Sequence, residues 1–296
     1  MAAAVETPRG LLPARPRAEG WTGVVQRLRK NRLSMAGSAI VILLVAVALF
    51  APYLGLADPV KLNVSLRFTP PGPGHWFGTD HLGRDLMSRV LYGARFSLVI
   101  GALTILAAGV PGVLVGILGA AAPVRVSASI MRLMDVLMSF PPLLLAIAVA
   151  AAVGTGGRSI VIALSVVYFP RIVRVTRAIA LSVLTQEYVT AAFALGTPGW
   201  RLIGRTVLPN CLSVVIVQLS LYFAEVLLAE AALSFLGLGE SPPRPTWGNM
   251  LYDAQKNMRN APWIAIFPGA AIAVSVLGLN LFGDAVRDLM DPRMRT

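Results

Sequence analysis

The chain has 296 residues, 56% of them hydrophobic and 14% charged, with a mean hydropathy of +0.72. That composition excludes a single soluble core and points to a polytopic helical membrane protein. The formal net charge of +12 would suit nucleic acid, but the arginines gather at the ends of apolar segments, a pattern that sets topology rather than one that binds phosphates. The single cysteine, Cys211, excludes an intrachain disulfide and a thiolate metal cluster.

Residues 1–32 carry Arg9, Arg15, Arg17, Arg27, Arg29, Lys30 and Arg32, and read as a basic cytoplasmic segment. The apolar run 33–54 that follows is longer than a signal-peptide core and lacks a convincing cleavage site, so it reads as a first span. Positive charge ahead of it places the N-terminus in the cytoplasm. Residues 55–96 form an external loop with an amphipathic segment in which Asp85 and Arg89, four apart, are spaced to pair.

A five-helix core over 97–285 completes the predicted architecture. Span two, 97–122, contains Gly112 and Gly116 in a GxxxG arrangement that favours close helix packing. Span three, 130–153, is kinked at Pro141-Pro142. Span four, 159–184, ends with Arg171, Arg174 and Arg177, whose long stems are expected to snorkel to the inner interface. Span five, 211–236, holds Glu225 and Glu230. Acids within a span are expensive and are candidates for a transport pathway or its outer gate. Five residues apart, they point about 140° from one another around the helix and so do not make a paired-carboxylate site. Span six, 263–285, precedes a cytoplasmic tail, 286–296, with Asp284 placed to interact with Arg287 or Asp288 near the exit. Lys and Arg are in excess on the side assigned to the cytoplasm, which supports six spans with both termini inside.

The loop 186–209, between spans four and five, has a pattern of its own. Tyr188 to Leu195 suits a short helix, Gly196 a left-handed cap, and Thr197-Pro198 the start of a second short helix that ends before Pro209. Helices this short must lie against something. Ala191, Ala192 and Leu195 offer a face of little bulk to which another protein's backbone can come close. A helix-turn-helix DNA reader would also use a Gly turn with Arg201 and Arg205, but enclosure between membrane spans argues against it and against nucleic acid.

Ala191-Ala192, Gly196 and Leu208-Pro209 resemble the EAA loop of ABC importer permeases, with Thr190 and Thr206 departing from the usual acid and isoleucine. The segments around Gly78-Thr79-Asp80, Gly83-Arg84-Asp85 and Ser88-Arg89, around Ala229-Glu230-Ala231-Ala232, and around Pro242-Pro243-Arg244-Pro245-Thr246-Trp247 are similar to the C-type permease subunit of dipeptide and oligopeptide importers. The resemblance implies an all-α permease of six transmembrane helices in the inner (plasma) membrane. It assigns Ala191, Ala192, Leu195, Gly196, Leu208 and Pro209 to coupling with an ATPase. It also implies partners: a second, B-type permease, one or two cytoplasmic ATPases using ATP and Mg, and an external binding protein that delivers peptide.

The chain itself offers no phosphate loop, no HExxH, no CxxC and, with two histidines, no Ser-His-Asp set, so neither a catalytic site nor a cofactor or metal site is expected in it. Nickel or another small solute is the alternative cargo within the same family. A stand-alone channel or secondary transporter would call for inverted repeats or a broken midplane helix, and no such repeat is visible. A membrane-anchored scaffold has no use for intramembrane acids.

Overall fold

The computed structural model describes residues 31–290, and these fold as helices, with one long connection over 51–85 that holds two short 3-10 turns. The basic segment before residue 31 and the tail from 291 onward lie outside the described residues. In chain order, α1 is Arg32–Phe50, α2 Leu86–Ala121, α3 Val124–Met138, α4 Pro142–Val153, α5 Gly157–Leu184, α6 Glu187–Ala194 and α7 Gly199–Leu202. A π turn at Ile203–Val207 leads into α8, Leu208–Phe235, and α9 (Trp247–Ala254) and α10 (Trp263–Met290) follow.

Five described helices are long and apolar enough to cross a bilayer, or six if α3 and α4 together make one span. Those two are bent by 88° at the break between them. Prolines 141 and 142 cause it: neither has an N–H to donate, and Pro141 sits at an extended ψ of 129° just ahead of α4. The expected kink is therefore a corner. With 12 residues, α4 reaches only about 18 Å and cannot cross a bilayer alone. Because α3 carries Arg125, Arg132 and Asp135 among its apolar residues, it has the make-up of a surface helix.

Packing is closest between α2 and α5, which run parallel. A methyl group on Gly116 would come within 2.8 Å of the Val173 carbonyl, and one on Gly112 within 2.8 Å of the Ile172 side chain. The GxxxG pair is the surface on which α5 rests, as its spacing predicts. One apolar core joins α2, α4, α5 and α8 around Ile117, Ile160, Leu164, Ile172, Val215 and Val226. A second joins the start of α2 to α8, α9 and α10 around Leu86, Leu227, Trp247, Met250 and Ile264. α1 packs mainly on α10, at Gly37 and Gly278, and to a lesser extent on α2. Its outer face, with Ile42, Leu43 and Leu49, is left bare, as suits lipid contact.

Candidate pathway and coupling surfaces

At the end of α5, Gln186 takes an extended conformation and starts α6. Gly196, at φ +78°, stops it. The Thr197 N–H then donates to Ala192 O (3.1 Å) and the Gly196 N–H to Phe193 O (2.9 Å), so a left-handed glycine closes the helix as the sequence predicts. The second short helix differs from expectation. Pro198, not Thr197, is its N-cap residue, and it does not end before Pro209. α7, the π turn and α8 run on as one helical stretch, Gly199–Phe235. Pro209 sits in the first turn of α8 and donates nothing back, so the carbonyl four residues earlier goes without a helical partner. The widened turn just ahead absorbs that interruption without a break.

Only Val189 of α6 is buried. Ala191, Gly196 and Pro209 are exposed, Leu195 is 87% exposed, and Ala192 and Leu208 are half-buried. Tyr188, Phe193 and Trp200 are bare as well. A short helix held by one buried valine and surrounded by exposed aromatics presents a contact surface to something outside the chain.

The two acids in α8 have opposite surroundings. Glu230 is fully buried, and one of its oxygens accepts a hydrogen bond from Ser234 Oγ at 2.9 Å. Its second oxygen has no partner among the described residues, nor does the buried Ser97 hydroxyl of α2. Glu225 faces outward, its side chain 51% exposed, and pairs with Arg171 of α5 at 3.1 Å. The Arg171 guanidinium lies 5.4 Å from the Tyr168 ring centre, and Tyr168 in turn packs at 5.8 Å on Tyr222. The α5 arginines expected to snorkel each have a polar partner on another helix. Arg171 meets Glu225, Arg174 pairs with Asp135 of α3, and Arg177 donates to Ser127 Oγ at 2.9 Å.

The end of the bundle opposite α6 is tied by charges. Asp80 takes the Arg84 guanidinium at 2.5 Å and lies 3.5 Å from Arg89, while Arg84 reaches Asp253 of α9 at 3.3 Å. The expected Asp85–Arg89 pair does not form. Asp85 instead caps α2, accepting from the Ser88 N–H at 2.8 Å, and meets His75 at 2.9 Å. Arg89 donates to Pro59 O at 3.0 Å. Glu240, in the loop after α8, accepts from the Gly157 N–H at the start of α5 (2.7 Å) and from Arg244 (3.3 Å). These groups surround a cavity of about 140 Å³ lined by Arg84, Arg89, Ser234, Glu240, Arg244 and Asp253. Near the C-terminal end of α10, Asp288 accepts from Asn31 rather than organising a cluster with Asp284. Nothing in the local sequence signals Glu240 on Gly157 or Glu225 on Arg171, since the partners are 83 and 54 positions apart.

Apolar helices long enough to cross a bilayer, a bare loop helix, and charges placed on interhelical faces define a multi-pass membrane protein. The family comparison agrees: residues 112–296 match the binding-protein-dependent transport system inner membrane component family, and residues 21–71 match the N-terminal TM domain of oligopeptide transport permease C. The chain belongs to this family and is a permease subunit of an ABC transporter. It is 42% identical to the di/tripeptide transport system permease protein DppC of Pseudomonas aeruginosa, covering 95% of this chain and 93% of that one. Identity is 38% to the dipeptide transport system permease protein DppC of Alkalihalophilus pseudofirmus (93% and 91% covered). It is 37% to the glutathione transport system permease protein GsiD of Pectobacterium atrosepticum (93% and 92% covered).

Proposed function

We propose that this chain forms, with a second B-type permease, the membrane pathway of an importer for dipeptides and oligopeptides. An external binding protein delivers the peptide, and one or two cytoplasmic ATPases drive transport with ATP and Mg. Both termini and α6 lie on the cytoplasmic side, and the Asp80–Arg84–Asp253 end faces outward. The peptide cargo is supported by the names of the relatives, two of them dipeptide or di/tripeptide permeases. In this reading Glu225 faces the pathway. Glu230, enclosed behind α9 and the loop that follows α8, steadies the outer gate from within.

The observation that carries coupling is the exposed face of α6. Ala191 and Leu195, one turn apart, are exposed among the described residues, and Gly196 and Pro209 fix the loop that presents them. Docking of α6 with Leu208 and Pro209 against an ATPase groove would transmit nucleotide-driven motion into α5 and α8, which flank it directly.

Cysteines introduced at Ala191 and Leu195 should cross-link to the ATPase in the assembled complex. Ala191→Arg should leave the complex assembled while peptide uptake and substrate-stimulated ATP hydrolysis fall at least about tenfold, the effect of losing one well-packed contact. Normal transport by Ala191→Arg would sink the coupling assignment. For cargo, a strain lacking this gene should lose growth on a required peptide and resist a toxic tripeptide. Normal peptide uptake together with lost nickel accumulation would replace the peptide reading with the nickel one.

A further inference from the structure

An exposed ion pair lies deep in the apolar part of the bundle. α2 carries no charge from Phe96 to Ala122, and within that run Gly112 packs on Ile172, the neighbour of Arg171. Arg171 therefore lies about 16 residues, roughly 24 Å, past the start of the uncharged run and about 15 Å from its end. Its partner Glu225 is about 15 Å from the C-terminal end of α8 by the same count. Both charges are near mid-depth, yet their side chains remain 29% and 51% exposed on the surface of the chain.

Lipid cannot cover such a surface, because a charged side chain at the bilayer centre is costly even when paired. A dry protein interface would strip the pair of its water, and an ion pair taken out of water loses more than it gains unless further hydrogen bonds satisfy both charges. A water-filled passage satisfies both charges. Behind the pair stand Tyr168 and Tyr222, both largely buried and packed at a tilt of 58°, and the Tyr168 ring lies 5.4 Å from the Arg171 guanidinium. The pair is thus braced on one side and open on the other.

We propose that Arg171 and Glu225 form a transit site for the two charged ends of a peptide, on the premise that this chain is the peptide permease argued above. At mid-depth a zwitterionic peptide needs counter-charges for its ammonium and carboxylate. The Arg171–Glu225 pair offers one of each, on adjoining helices, and can exchange its internal partner for those of the peptide. Glu225 takes the α-ammonium and Arg171 the C-terminal carboxylate by charge-assisted hydrogen bonds. Because the resting pair competes with the peptide, binding is weak enough for release, as passage through a pore requires. Side chains of the cargo need not be read, so the site suits many sequences.

The test uses the complete importer, with both permeases, ATPases and binding protein, in proteoliposomes, with uptake of radiolabelled Ala-Ala measured at saturating binding protein. Arg171→Gln and Glu225→Gln should each lower kcat about tenfold, with the KM for loaded binding protein within about twofold of the wild type; one charge-assisted hydrogen bond accounts for that size. The charge-swapped variant, Arg171→Glu with Glu225→Arg, keeps an ion pair but reverses its arrangement on the wall. It should stay at or below half of wild-type uptake. Recovery to the wild-type rate would show a strut between α5 and α8 and overturn the proposal. As a second readout, p-benzoylphenylalanine at Leu228, exposed one turn from Glu225, should be labelled by the peptide during ATP hydrolysis. Normal uptake without labelling also overturns it. A wild-type complex that takes up no peptide at all fails the peptide reading instead, a result distinct from either.

Discussion

Glu230 and Glu225 show how one helix gives the same residue type two different surroundings. Glu230 is closed in by α2, α8 and α9, with Ser234 its one hydrogen-bond donor among the described residues. A buried carboxyl with one free oxygen is costly, so its packing and its Ser234 contact must hold it in place. Glu230→Gln preserves the shape and the acceptor for Ser234. It should keep at least about half of wild-type uptake, since only a neutral group replaces a neutral or charged one. Glu230→Ala leaves a void and an unpaired Ser234 and should destabilise the subunit by about 2–4 kcal/mol, slowing several peptides alike. Thermal unfolding of the detergent-solubilised complex and uptake of three unrelated peptides check both. Equal loss of activity in the two variants would show that the charge, not the packing, matters. Glu225 needs no such enclosure, because Arg171 neutralises it at the surface.

At the scale of elements, the parallel pair α2 and α5 sets the positions of everything near Arg171. Gly116 has no room for a methyl group: it would meet Thr176 Cβ at 2.7 Å and the Val173 carbonyl at 2.8 Å. Two backbones in contact cannot yield as a flexible side chain does, so a larger residue must push the helices apart. Gly116→Ala should cost about 1–3 kcal/mol, the usual cost of overpacking. Gly269→Ala in α10 serves as the control, because nothing lies within 4 Å of its added methyl. The midpoint of thermal unfolding should fall in the first variant and hold in the second; an equal response would mean that the close approach carries no stability. α3 and α4 are decided at the same scale. The 88° corner at Ser139-Phe140-Pro141 leaves α3 free to pair with α5 through Asp135–Arg174 and Ser127–Arg177, which a straight span could not do from the same positions.

The whole molecule has two polar ends of different character. One end is closed by intrachain charge: Asp80, Arg84, Arg89 and Asp253 join the loop before α2 to α9, and Glu240 ties the loop after α8 to α5. The other end carries α6 and its bare aromatics. This asymmetry suits the proposed orientation, with an outer end that seals against leakage and an inner end that receives force. Cysteines at Ser65 and Leu195, both exposed, test it in a Cys211→Ser background, since Cys211 is itself buried. An impermeant maleimide added to intact cells should modify position 65 and not 195, and permeabilised cells should modify both. Labelling of 195 from outside would invert the topology.

Sequence by itself determined the class of this protein. Long apolar runs unbroken by a proline pair become helices long enough to span, because the hydropathy of a segment sums along the chain and every backbone group in lipid must be bonded within its own helix. The run holding Pro141-Pro142 instead turned an 88° corner. Gly196 as a helix stop and Gly112-Gly116 as a contact surface were legible for the same reason: a left-handed φ and the lack of a Cβ are properties of the residue. Pairing of charges was not. Asp85 and Arg89 have the right spacing for an i, i+4 pair, yet Asp85 belongs to the cap of the helix and Arg89 turns to Pro59 and Asp80. Arg171, read as a snorkelling residue, is half of an ion pair with Glu225 of another helix, and Glu240 is the partner of a backbone amide 83 positions away. Which face of one helix meets which face of another depends on rotation and crossing angle, set by the summed packing of all the helices. A turn of about 100° per residue means that a small change in that rotation hands a charge to a different partner. Only the tertiary structure decided that.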